Sequence, residues 1–148
     1  MNKAWWAHFW SHTFTSFDEV EAIDPHLNAM ALDWKRFTTY QTVDFMRAEI
    51  AALREFSPDV PVTTNMMGTY EGLDYWRLAR DLDVISWDSY PLWHSDRPDY
   101  EIASDTAFKH DLNRCMKRRP WLLMESTPSN VNWASISRPK KPGVHRLA

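Results

Sequence analysis

Strand-like and helix-like stretches alternate along this chain, and that alternation restricts its fold more than any other feature. Val60-Pro61-Val62-Thr63-Thr64-Asn65 is a short β-branched run. Val84 to Pro91 is a second strand, stopped by its proline. Trp121-Leu122-Leu123-Met124 is a third, an apolar run of the kind that makes a fully buried strand. Between and before them lie helical patterns. Residues 30–56 read as one long helix, with Phe37, Tyr40, Val43, Met46, Ile50 and Leu53 on a common stripe, ended at Ser57-Pro58. Leu73, Trp76 and Ala79 give a short second helix ending near Leu82. Ser104 can cap a third, whose stripe is Phe108, Leu112 and Cys115. Its basic last turn, Arg114 to Arg119, suits the negative end of the helix dipole, and Pro120 stops it. Helices alternating with strands imply parallel βαβ units.

Three strands are few for a parallel sheet that must be covered on both faces. A (β/α)8 barrel needs eight strands and roughly 250 residues. The expectation is therefore an α/β chain forming a partial (β/α)8 TIM barrel, about three parallel strands with flanking helices and two open sheet edges. No linker divides the 148 residues, so they read as part of one domain.

Composition excludes several classes. No run of about 18 apolar residues occurs, so no membrane span is expected, and the first residues lack the layout of a signal peptide. One cysteine, Cys115, rules out an internal disulfide and a cysteine-clustered zinc site, and points to a reducing, cytoplasmic setting. Cys115 itself reads as buried packing on its helix stripe. A net charge of -3 gives no pull toward nucleic acid. Only three glycines occur and none forms a phosphate loop, so no nucleotide cofactor is expected. His8 and His12 share a helical spacing, but without a third ligand they read as structural histidines among aromatics, not a metal site. Trp6, Phe9 and Trp10 read as a buried helical turn.

In a parallel α/β fold, chemistry gathers at the carboxyl ends of strands. Those ends carry Asn65, then Asp88 with Tyr90, then Glu125. Retaining glycosidases use two carboxylates about 5–5.5 Å apart, one as nucleophile and one as acid/base. Glu125 and Asp88 could form such a pair by composition, but Asp88 is read in preference as a hydrogen-bonded residue that orients its neighbours. Beyond Glu125 the chain turns through Ser126-Thr127-Pro128 to Trp133. Trp133 could pack beneath this loop or offer its face to a sugar.

Four ordered blocks resemble the glycoside hydrolase family 42 β-galactosidases. They are Ala4 to His12, Pro61 to Gly68, Asp83 to Pro91, and Met124 to Trp133, joined by Leu32-Asp33-Trp34 and by Gly72 to Trp76. The resemblance implies a retaining enzyme that hydrolyses terminal β-D-galactosides, with a β-galactoside as its partner and no cofactor. It implies that Glu125 is the nucleophile and that Trp133, Tyr90 and Trp10 bind substrate. It also implies that the three strands resemble the fifth to seventh of the barrel, and that complete relatives form trimers. The family's acid/base glutamate follows an asparagine in an Asn-Glu-Tyr-Gly-type segment, and no Asn-Glu pair occurs here. The chain thus resembles an internal piece of the catalytic domain, expected to be inactive alone. A non-catalytic carbohydrate-binding module and a decayed remnant are the alternatives.

Overall fold

The computed structural model describes residues 1–20, 26–93, 95–126 and 143. The chain falls into two compact units. The first comprises residues 1–52 and 71–74, the second residues 53–70 and 75–148.

The first unit holds a 3-10 turn, Ala7–Trp10, a second such turn, Phe17–Glu19, and most of a long helix α1, Asn28–Phe56. Its core is Ala7, Leu27 and Met30, with Trp5, Phe14 and Val20 packed against them. The Asn2 side chain closes the segment. Its amide donates to the Phe14 carbonyl at 2.8 Å, and its oxygen accepts from the Phe14 N–H at 2.7 Å. Trp5 Nε1 donates to Asp33 at 2.9 Å and anchors the entry segment to α1. The 3-10 turn is bounded by left-handed residues, Trp6 at φ 56° and Ser11 at φ 62°. Those reversals bury Ala7 and turn the large rings out, so the expected buried aromatic turn is corrected. Trp6, Phe9 and Trp10 are exposed and pack on one another. On α1, Met30, Thr39, Val43 and Met46 are buried, whereas Phe37 and Tyr40 of the expected stripe face solvent, as does Leu53 beyond this unit.

The second unit carries the sheet. Strands β1 (Asn65–Met66), β2 (Ser86–Ser89) and β3 (Leu122–Ser126) lie in the order β1-β2-β3, all parallel. Helix α2 (Tyr75–Ala79) leads from β1 toward β2, and α3 (Asp99–Lys117) from β2 to β3. This is the βαβ architecture that the alternation implies. β1 is shorter than the run from Val60 suggests, because Pro61 has no N–H to give a ladder. Other bonds tie that approach to the chain before β2. Asp83 N–H donates to the Val62 carbonyl at 2.9 Å, and the Asp83 carboxylate accepts from Val62 N–H at 2.7 Å. The Arg54 guanidinium also bonds Asp83, and it donates to the carbonyls of Pro58 and Val60 at 2.6 and 2.8 Å. Gly68 follows β1 with φ 75°, a conformation that disfavours side chains, and an added Cβ would lie 3.4 Å from the Trp87 ring.

Side chains alternate across the sheet. Met66 and Trp87 are buried on one face, and α3 covers it there through His110, whose ring meets Trp87 edge-on at 5.2 Å and stacks on Trp121 at 4.7 Å. α3 starts nearly two turns earlier than a Ser104 cap would place it, with Pro98 at its N-cap. Ser104 lies inside and bonds back to the Tyr100 carbonyl at 2.8 Å. The buried residues of α3 are Ile102, Thr106 and Asn113, on roughly the opposite side from Phe108, Leu112 and Cys115. Thr106 and Asn113 each donate to the carbonyl four residues back, at 2.8 Å, which satisfies the Thr106 hydroxyl proton and the Asn113 amide nitrogen but leaves the buried Asn113 oxygen without a partner. Phe108 and Cys115 are consequently exposed, which corrects their assignment to the core. The Trp121–Met124 run is likewise not fully buried. Leu122 is 47% and Leu123 41% exposed, because β3 is an edge strand among the described residues.

The bond from Val62 N–H, then the Arg54 charge, hold the Asp83 carboxyl below its ordinary range. A lowered folded pKa gives stability that is present above the unfolded value and lost as pH falls through the folded one. Acidification below about pH 4 should therefore destabilise the native chain more than Asp83→Asn, and urea unfolding midpoints across that range measure the difference.

Candidate functional site

The site forms where the three strands end in the second unit. Register places it there. Asn65 pairs with Ser86, and Ser86 and Asp88 share a face of β2 because they are two residues apart. Ser86 pairs with Leu122 and Trp87 with Leu123, but Asp88 pairs with Glu125. Met124 is thus an extra residue on β3, a bulge in a parallel pair. In an unbroken ladder Met124 would lie beside Asp88, and Glu125 would share the Trp87 face. The bulge turns Glu125 to the side of Asn65 and Asp88.

The three polar side chains meet there. The Asn65 amide nitrogen donates to Asp88 Oδ1 and Oδ2 at 3.2 and 3.3 Å, and to Glu125 Oε1 at 3.1 Å. The Tyr90 hydroxyl donates to the other oxygen, Glu125 Oε2. Both Glu125 oxygens are therefore held by neutral donors. Hydrogen bonding to Glu125, then burial, then the charges of Glu125 and Asp88 push the Tyr90 phenol up to about 12. Burial raises the Asp88 carboxyl above its ordinary value. The Asn65 bond opposes that rise and the Glu125 charge adds to it.

Two of the sequence-derived site residues, Glu125 and Tyr90, are thus in direct contact, with Asn65 and Asp88 completing the group. Trp10 belongs to the first unit, where its ring packs 5.2 Å from both Phe9 and His26. Trp133 lies outside the described residues. Sequence reading placed Asn65 at a strand end without its bridging role. An amide among carboxylates was visible in the order of strand ends, but the bulge that brings Glu125 to it was not. Among the described residues no cluster of three metal-binding side chains forms, and His12 instead stacks on Phe14 at 6.0 Å.

The first unit has a cleft of about 490 Å³ lined by Trp5, Phe17, Met30, Asp33, Trp34 and Phe37 among others. Its acid is poorly suited to proton transfer. Asp33 Oδ2 accepts from Trp5 and Oδ1 from Arg36, and the Trp5 bond foremost lowers its pKa. The acidic group at the strand ends is the better chemical candidate.

Parallel βαβ units that gather polar side chains at the carboxyl ends of their strands define a class by fold, the proteins built on β/α barrels. The family model for beta-galactosidase, glycoside hydrolase family 42, matches residues 1–148, and the chain belongs to that family. It is 54% identical over 151 residues to the beta-galactosidase BglY of Alicyclobacillus acidocaldarius, covering 99% of this chain and 22% of the relative. It is 47% identical over 156 residues to the beta-galactosidase Pbg of Clostridium perfringens, covering 100% of this chain and 23% of that one. A solved structure, the cold-adapted beta-galactosidase from Rahnella sp. R3, superposes with a TM-score of 0.85 at 48% identity, over 97% of this chain and 22% of the other. The chain therefore spans less than a quarter of the length of these relatives. Its three parallel strands and flanking helices are a portion of the TIM-barrel fold.

Tyr90 should titrate near pH 12, and its phenolate absorbance can be isolated from the other tyrosines by difference against Tyr90→Phe. Glu125→Gln removes the charge that opposes ionisation, so the value should fall toward about 10. Because the folded value is raised, this pair's contribution to stability is complete below about pH 10 and lost as pH rises through about 12.

Proposed function

We propose that the chain supplies part of the catalytic barrel of a retaining β-galactosidase, with Glu125 as the nucleophile. The observation that carries this reading is the capture of both Glu125 oxygens, one by Asn65 and one by Tyr90, at the end of a parallel strand. Residues 1–148 would contribute strands resembling the fifth to seventh of the barrel domain. Membership in family 42 supports a terminal β-D-galactoside as substrate.

Glu125 attacks the anomeric carbon of the galactoside, and the glycosidic bond breaks as the covalent galactosyl-enzyme forms. A second carboxylic acid protonates the leaving oxygen, then takes a proton from the water that releases galactose. The two donors fix the plane of the Glu125 carboxylate before attack and stabilise its charge when it departs from the sugar. Trp133 stacks on the sugar and Tyr90 borders its subsite, and Trp10 is a further candidate substrate contact by the family resemblance alone. The chain itself supplies no Asn-Glu segment for the acid/base role. The single thiol, Cys115, is compatible with a cytoplasmic enzyme of carbohydrate metabolism.

Loss of the acid alone costs at least about 10²-fold in rate. The 148-residue chain should accordingly show no turnover of a chromogenic β-galactoside. Grafted in place of the matching segment of the Alicyclobacillus acidocaldarius relative, it should restore hydrolysis. In that chimera Glu125→Gly should abolish activity, and azide should rescue it as the α-galactosyl azide. Unchanged turnover in Glu125→Gly, or a β-azide product, would remove Glu125 from the nucleophile role.

A further inference from the structure

The Asn65 side chain is shared between two carboxylates, and that sharing asks what Asp88 is for. An amide has a donor end and an acceptor end of nearly equal size. Its orientation is therefore set by all its partners, and Asp88 adds a second acceptor-only partner to Glu125. Turned over, Asn65 would present its carbonyl oxygen to an anionic nucleophile, repelling it in place of holding it. Asp88 forbids that orientation. An ionised carboxylate only accepts hydrogen bonds, and both Asp88 oxygens lie within 3.3 Å of the Asn65 nitrogen.

We propose that Asp88 is a positioning residue that fixes the donor end of Asn65 toward Glu125, so that Asn65 and Tyr90 hold the nucleophile by both oxygens. The proposal rests on Glu125 being the nucleophile, but the orientation of the amide is testable without it. Three observations support it together. Asp88 and Glu125 are register partners on β2 and β3. Asn65 lies one strand over, on the same face, paired with Ser86. A single amide nitrogen reaches both carboxylates. In these hydrogen bonds Asp88 meets Asn65 alone, while its charge also reaches Glu125 and Tyr90 through space. Its two oxygens are engaged with that amide, which suits a clamp better than a second acid/base.

Substitution by asparagine keeps the size of residue 88 and removes the directionality. An amide at that position can receive a bond from Asn65 nitrogen or give one to its oxygen. In the full 148-residue chain, the Asn65 side-chain NH2 resonances, assigned by their absence in Asn65→Ser, should be resolved as two shifted protons. In Asp88→Asn they should move toward solvent-like positions with narrowed separation, while backbone amide shifts in β1 and β2 stay in place. Asn65 side-chain signals unchanged in Asp88→Asn would overturn the proposal. Should Asp88→Asn disturb the backbone, Asp88→Ser gives the same reading with a smaller side chain.

The kinetic arm uses the active chimera. Hydrogen bonds to charged groups correspond to about ten- to a hundredfold effects. Asp88→Asn should lower kcat by that factor with KM little changed, and Asn65→Ser should do the same. The double variant should be no worse than either alone, because both act through one contact. Additive losses in the double variant would contradict action through Asn65. If Glu125→Gly leaves turnover intact, the nucleophile reading fails, whereas the orientation of Asn65 in the isolated chain still stands or falls on its resonances.

Discussion

One residue of slack in a parallel ladder governs this structure. Strand side chains have a period of two, so a shift of one residue exchanges the faces of a sheet. Met124 supplies that shift between Leu123, which pairs with Trp87, and Glu125, which pairs with Asp88. Before the bulge, β3 follows the alternation that presents Leu123 beside Trp87. After it, β3 presents an acid to the polar rim. Bulges are frequent beside active sites for this reason, since they re-aim a side chain without moving the strand.

The rim then sorts charge by neutral hydrogen bonding. Two carboxylates on neighbouring strands repel each other, and among the described residues no basic side chain is bonded to either. An amide and a phenol hold them. Such donors steady a carboxylate while leaving it free of a full counter-charge, which would quench its nucleophilicity. The upward shift of the Tyr90 phenol expresses the same interaction from the donor's side. Asp83 shows the contrasting use of a carboxylate at the other end of β2. There a backbone N–H and a guanidinium hold it as a tie between the approaches to two strands and lower its pKa.

Much of the architecture was legible in sequence because periodicity reports it directly. Three helical stretches and three strand-like runs gave the parallel sheet, and a carboxylate after an apolar run gave Glu125. What escaped was phase. On α3 the apolar residues Phe108 and Leu112 suggest the core face, yet the buried line runs through Thr106 and Asn113, each of which donates to a carbonyl one turn back. At Ala7–Trp10 the large rings suggested a core, but left-handed backbone at Trp6 and Ser11 selected the small alanine for burial. The Met124 bulge is of the same kind, a local offset that composition does not encode. Spacing in sequence names the candidates, and register decides which of them meet.

β3 has a hydrogen-bonded neighbour on one side only among the described residues, and its leucines are half in solvent. Edge strands open more readily than central ones. The carboxylate that must be placed most accurately is therefore carried on an edge strand. Its geometry is a property of the sheet's margin, and so a neighbour that paired with that margin would steady the site through the backbone of β3.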